Sequence, residues 1–308
     1  MQYILEFYKK RELFEPDHLS ILMQFRRDIN FALIGDPKNP EKSFKYLYFN
    51  ENTTVEFTFI YQPEKRETPK SKPGKGATPF LKKFFDECFH TGYSLIVDLY
   101  CPDFYYLEIF FFVDLLQSKH SFIAIDPQQT QENKLPILLD ENDLLENLQV
   151  GRHKHPVDKE QAYQVSRKKL ETWWYYQFHR QKLEEKFSPE IVIPPYDFYI
   201  KKQGGQILSS TDFLGYAHPF ILPKTDMVNI SIQSSRLLGI LTGYNDFFVD
   251  SKKLLEILGQ PEKEMDFPCL IRIFSKPQKP VTDKIEISTL QANDAFELIH
   301  VKDLSARD

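Results

Sequence analysis

Residues 151–157, GRHKHPV, place His153 and His155 two positions apart. In an extended segment such side chains project to the same side, where two imidazoles could share a metal. No cysteine or carboxylate stands immediately beside them, so the stretch reads as a solvated basic turn. Cys88 and His90, in DECFH, fall on an expected helix, where positions two apart face different directions. Cys101 follows an expected strand and Cys269 lies in an apolar run, and neither has an assignable histidine. The run PGKGATP (73–79) has prolines on its flanks, lacks the spacing G-x-x-x-x-G-K-[ST], and has no strand leading into it. KQGGQ (202–206) reads as a hairpin turn. G-x-S-x-G, H-E-x-x-H and paired C-x-x-C are all absent. No catalytic, metal or cofactor residue is therefore assigned. The enzyme alternative is an unknown reaction in a cleft between two domains, drawing on Asp197, Tyr199, Asp212 or His218.

Two features point to binding rather than catalysis. LLDENDLLENL (138–148) carries Asp140, Glu141, Asp143 and Glu146 on a short helical segment, with Asp140 or Glu141 placed to suit the helix dipole. Within 128–150, five acidic residues meet one basic residue, against a net charge of −5 for the whole chain. The segment reads either as a solvated helix face or as an acidic patch that steers a basic partner. TWWYYQF (172–178) holds both tryptophans of the chain. A surface helix needs one apolar stripe about 100° wide, and these rings cover most of the circumference. The helix is expected between the two domains, with Trp173 as the aromatic that reaches a partner. Asp140, Glu141, Asp143, Glu146 and Trp173 are the expected partner-binding residues.

The elements that must position these residues follow from periodicity and turn chemistry. QYILEFY (2–8) reads as a strand. EPDHLSILMQFRRDINFALI (15–34) reads as a helix capped by Asp17, with a stripe of Leu19, Leu22, Met23 and Phe25. KYLYFN and TVEFTFIYQ read as strands joined at ENTT (51–54), and 63–79 reads as a lysine-rich loop. FLKKFFDECFHTG (80–92) reads as a helix stopped by Gly92, YSLIVDLY (93–100) as a strand, FYYLEIFFFVDLLQSKH as a helix, and SFIAIDPQ (121–128) as a strand. The predicted class is α+β: an N-terminal helix-on-sheet sandwich (1–127) and an acidic linker with a short helix (128–157). A central aromatic-rich helix (158–187) capped by Asp158 and Gln161 follows, then a β-rich domain (188–308) with a helix from Asp250 to Gly259.

The chain has 308 residues, enough to bury a sizeable core. Aromatics make up 15% of it, which argues against a disordered scaffold. The negative net charge argues against general attraction to nucleic acid. No apolar run reaches the roughly 18 residues a membrane helix needs. Three cysteines without repeated spacing argue against a disulfide framework and for a reduced compartment, the cytoplasm.

Two stretches resemble immunity proteins of bacterial polymorphic-toxin systems. One is YYLEIFFFVDLLQSKHSFIAIDPQ (105–128), a Glu-bearing helix followed by a strand ending in Asp-Pro-Gln. The other runs from EIVIPPYDFYIKKQGG to FLGYAHPFILPKTDMVNI (190–230), an apolar-proline strand, a glycine turn, and a strand ending in Leu-Pro-x-x-Asp. Aromatics stand where such families carry small or aliphatic residues. The resemblance implies a cytoplasmic protein that neutralises a toxin or effector domain by stoichiometric binding, with no cofactor.

Overall fold

The computed structural model describes residues 1–13, 16–26, 30–39, 41–67, 79–127, 139–154, 163–187, 191–213, 219–233, 244–265, 271–274 and 290–307. They belong to two compact units, Met1–Lys159 and Glu160–Asp308. The class is α+β, as the patterning predicts. The units part between Lys159 and Glu160, not at the sequence-based edges, so the acidic helix lies in the first unit and the aromatic helix in the second. Among the described residues, no helix is long and apolar enough to cross a membrane.

The first unit runs β1 (Gln2–Lys10), α1 (His18–Arg26), β2 (Phe31–Ile34), β3 (Phe44–Phe49), β4 (Glu56–Tyr61), α2 (Pro63–Glu67), α3 (Pro79–Glu87), β5 (Cys88–Asp98), α4 (Tyr105–His120), β6 (Ile123–Ile125) and α5 (Glu141–Lys154). Its six strands form one sheet in the order β2-β3-β4-β5-β1-β6 with every pair antiparallel. Alternation along the strands sends Phe7, Tyr46, Phe57, Phe59 and Tyr93 to one face, where Phe25 of α1 and Phe112 of α4 pack among their rings. The opposite face is not bare: Phe84 and Phe85 of α3 pack on Tyr8.

Three sequence expectations are corrected here. Asp17 does cap α1, accepting from the Leu19 and Ser20 N–H groups. The buried stripe, however, is Ile21 and Phe25, while Leu19 and Met23 are 54% and 65% exposed. The helix also ends early, because FALI pairs with β3 as an edge strand. The third correction falls at 88–92, expected as helix, which instead opens β5 with Cys88 opposite Lys10 and His90 opposite Tyr8. A register shift between Glu6 and Tyr8 marks a bulge there. Gly92 serves that bulge rather than a helix end: its φ is +86°, and a Cβ would sit 2.6 Å from the Tyr61 ring.

A buried carboxylate of this unit joins two elements through hydrogen bonds. Glu108 of α4 is fully buried and accepts from the Tyr48 hydroxyl, Asn50 Nδ2 (2.8 Å) and Thr53 Oγ1 (2.7 Å). Burying a carboxylate costs several kcal/mol unless donors replace its water. These three tie α4 to the β3–β4 hairpin.

The second unit runs β7 (Tyr163–Ser166), α6 (Arg167–Phe187), β8 (Tyr196–Lys201), β9 (Ile207–Phe213), β10 (Phe220–Pro223), β11 (Met227–Gln233), β12 (Tyr244–Asp250), α7 (Ser251–Leu258), β13 (Lys263–Met265), β14 (Ile271–Phe274), β15 (Gln291–Ala292), β16 (Phe296–Ile299) and β17 (Leu304–Arg307). The expected helix from 158 therefore starts at Arg167, because 163–166 pairs in parallel with β17. The expected caps Asp158 and Gln161 lie outside the described residues. The main sheet has the order β15-β12-β11-β9-β8-β16, with β9 and β11 parallel; β10-β14-β13 form a small second sheet. Between them lies a core of Phe213, Val228, Ile230 and Val249 against Phe220, Leu222, Phe274 and Leu254 of α7. Gly204 and Gly205, both at positive φ, turn the β8–β9 hairpin as KQGGQ predicts. Asp250 caps α7 and Gly259 ends it.

Candidate functional site

The acidic segment folds for local reasons. The Asp140 side chain accepts from Asp143 N (2.8 Å), and the Asp143 side chain accepts from Asp140 N (3.1 Å). This reciprocal cap starts α5 and engages two of the four expected partner-binding carboxylates. Glu141 is half-buried and Glu146 exposed, while Leu144 and Leu148 on the other side of α5 are buried. The helix is not part of a loose linker. The Arg152 guanidinium donates to Leu99 O (2.8 Å), Cys101 O (2.8 Å) and the buried Asp103 carboxylate. His153, the next residue, is exposed with Nδ1 at 2.8 Å from Gln149 O, and His155 lies outside the described residues.

Trp173 is the clearest correction among the expected site residues. It is 4% exposed, and its indole N–H donates to Tyr196 O at 2.9 Å. Gln177 Nε2 donates to the same carbonyl (3.1 Å), and the Tyr176 hydroxyl donates to Pro194 O (2.7 Å). The aromatic turn of α6 thus satisfies carbonyls at the entry to β8, where the prolines at 194 and 195 leave the chain without N–H groups of its own. Trp173 is a core residue and presents nothing to a partner. Neighbouring rings follow the same pattern, with Trp174 buried and stacked on Phe178 at 5.0 Å.

Asp197, Tyr199 and Asp212, expected from sequence in an inter-domain cleft, come together on one face of the main sheet of the second unit. His218 lies outside the described residues. The register makes the grouping. Asp197 on β8 stands opposite Ser210 on β9, and Asp212 lies two residues further along the same strand. Asp212 stands opposite Asn229 on β11, and Ser231, two residues on, stands opposite Asp246 on β12. Opposed residues share a face, as do residues two apart. Four strands about 4.8 Å apart therefore carry one polar row roughly 14 Å long. Asn229 Nδ2 donates to Asp212 Oδ1 at 3.1 Å, and the Ser231 hydroxyl donates to Asp246 Oδ1 at 2.5 Å.

The electrostatics follow from this grouping. Burial and then the neighbouring Asp212 charge push the Asp197 carboxyl above the usual carboxylate range, with Arg180 opposing. The Tyr199 hydroxyl is pushed up to about 12, first by burial, then by Asp197, Asp212 and Asp246. No ion pair to these three aspartates forms among the described residues. Two polar atoms in the row have no hydrogen-bond partner among the described residues: Ser210 Oγ, on a residue 1% exposed, and Asn229 Oδ1. Apolar residues border the row, with Met227, Phe248 and Phe296 clustering against Tyr199 and Leu208, and the Tyr199 and Phe248 rings 4.9 Å apart. Among the described residues, no group of three His, Cys, Asp or Glu is arranged to hold a metal ion.

Ser210, Asn229, Ser231 and Asp246 were missed from sequence. A signal was present only in MVNISIQ, where Asn229 and Ser231 stand two apart in an otherwise apolar strand; ILSSTDF runs four polar residues together at 209–212 and shows no alternation. No protein-family model, curated protein or solved structure matches the chain.

Proposed function

We propose that this protein is a cytoplasmic binding module that neutralises a toxin or effector domain by stoichiometric association with a basic surface, using neither nucleic acid nor membrane. The observation that carries the reading is the row of Asp197, Asp212 and Asp246 across one sheet face, with no cation paired to it among the described residues. Such a row repels itself, and a partner of opposite charge relieves that repulsion and accelerates encounter. Glu146 and the first turn of α5 add acid in the other unit. Cys88 and Cys101, both free and buried, suit a reducing compartment.

The test begins with the tagged chain purified from its native host and its co-purifying protein identified by mass spectrometry. The pair is then rebuilt from pure components. The expected result is a 1:1 complex in which the partner's activity is suppressed at equimolar ratio, with an association rate that falls as salt rises. A reconstituted pair that does not associate overturns the reading. So does small-molecule turnover by the purified chain that disappears in Asp212→Asn.

A further inference from the structure

The polar row has a distinct chemistry at its β8–β11 end. Asp197 and Asp212 supply carboxylates, and on the same face Asn229 supplies a carboxamide oxygen and Ser210 a buried hydroxyl, neither with a hydrogen-bond partner among the described residues. The Asn229 amide is oriented by the bond its NH₂ makes to Asp212 Oδ1, which leaves its oxygen as the free end. Nearly every open valence in this group is an acceptor. Buried acceptors are satisfied in the great majority of proteins, and leaving one unpaired costs about 1–3 kcal/mol. A ligand that resolves all four must carry several donors, a positive charge and enough reach to span neighbouring strands.

We infer that Asp197, Ser210, Asp212 and Asn229 form a subsite for one guanidinium, that of an arginine side chain on the protein partner. The assignment of arginine to a protein rests on the binding function proposed above; the guanidinium chemistry does not. A guanidinium is planar, with five N–H donors in a fixed fork, and meets a carboxylate through two parallel bonds. An ammonium offers three donors at one point, too compact to serve carboxylates on two strands together with the Asn229 oxygen. The border of the subsite fits the rest of the side chain. Tyr199 presents an aromatic ring beside the carboxylates, and Leu208 continues the apolar surface over the buried Met227, suited to the methylene stem of an arginine. A bound cation also removes the mutual repulsion of Asp197 and Asp212.

The experiment uses the full chain and two labelled peptides, Gly-Arg-Gly-Arg-Gly and its lysine counterpart, with fluorescence anisotropy at low salt. The arginine peptide is expected to bind roughly tenfold or more tightly than the lysine peptide. Asp212→Asn is expected to weaken it about tenfold, the scale of one charged hydrogen bond. Ser210→Ala should weaken it about threefold, while Glu51→Gln, an exposed turn residue of the first unit, leaves it unchanged. Asp197→Asn provides a second carboxylate variant on a different strand, so a folding defect in one does not remove the test. Circular dichroism verifies folding of each.

Equal affinity for the two peptides overturns the subsite. Equal weakening by Glu51→Gln overturns it too, since that would be attraction to net charge. Saturable binding of calcium ion alone, lost in Asp212→Asn, would replace the guanidinium with a metal. The two failures are separable. A partner complex indifferent to Asp197→Asn and Asp212→Asn sinks the subsite and leaves the binding function standing. Selective arginine-peptide binding by a chain whose reconstituted partner complex does not form sinks the function and leaves the subsite.

Discussion

Glu6→Gln should abolish an acid-dependent part of the first unit's stability. Glu6 lies on β1 with its side chain 21% exposed. Its carboxylate accepts from the Tyr8 hydroxyl (3.1 Å) and Lys65 Nζ (3.4 Å), with His90 Nε2 at 3.8 Å. The Gly92 N–H donates to His90 Nδ1 (2.9 Å), which leaves the ring proton on Nε2, directed at Glu6. The His90 ring N–H facing it at 3.8 Å, then the Lys65 charge and the Tyr8 hydrogen bond, lower the Glu6 pKa from 4.5 to about 2 against the opposing effect of burial. The folded-state pKa is depressed, so the stabilisation is fully present above pH 4.5 and drains away as pH falls through the window down to about 2. At about 1.4 kcal/mol per pH unit, the depression corresponds to about 3 kcal/mol near neutral pH, of which about 2 kcal/mol is gone by about pH 3. The assay is urea unfolding at about pH 6 and pH 3, followed through amide resonances of β1 and β5, because both tryptophans lie in the second unit and report only that one. Wild type should lose about 2 kcal/mol more than Glu6→Gln between the two pH values. Parallel losses in the two proteins would refute the reasoning, because the carboxylate would then gain nothing from its partners.

Trp173→Ala should destabilise by about 3–5 kcal/mol in tryptophan-monitored denaturation, through the lost ring volume and the indole bond to Tyr196 O. Gly92→Ala should cost at least about 2 kcal/mol in the same NMR-detected unfolding, since φ is +86° and the added methyl meets the Tyr61 ring. Arg152→Leu should cost about 3–5 kcal/mol in thermal or urea unfolding by removing the cation beside the 4% exposed Asp103. A loss below about 1 kcal/mol would show that α5 is not anchored through this residue. Asp140→Ala should cost about 1 kcal/mol as a lost helix cap, read from urea unfolding of the first unit.

What was legible in the sequence is what a few neighbouring residues decide among themselves. Asp17, Asp140 and Asp250 cap their helices because a short carboxylate reaches the N–H groups two or three residues ahead. KQGGQ turns its hairpin because Gly204 and Gly205 accept positive φ, whereas ENTT turns with the β-branched Thr54 held at φ +60°, which its residue type does not favour. The aromatic run of α4 reads as a helix and is one. The α+β class follows from such local elements taken in order.

What the sequence could not decide depends on partners far along the chain. FALI and CFHTG became strands because Lys45–Tyr48 and Tyr8–Lys10 were available to pair with them, and pairing overrides local helix preference. Trp173 was turned inward by carbonyls about twenty residues away, which its own neighbours do not reveal. The polar row depends on register in the same way. Asp197, Ser210, Asp212, Asn229 and Asp246 sit on four strands, and sliding one strand by a single residue would send its members to the opposite face. The sequence by itself determined which residues are acidic and which strands alternate. Only the tertiary structure decided that the acids share a face and that Ser210 Oγ and Asn229 Oδ1 find no hydrogen-bond partner among the described residues, because those are properties of strand pairing and burial that no short window contains.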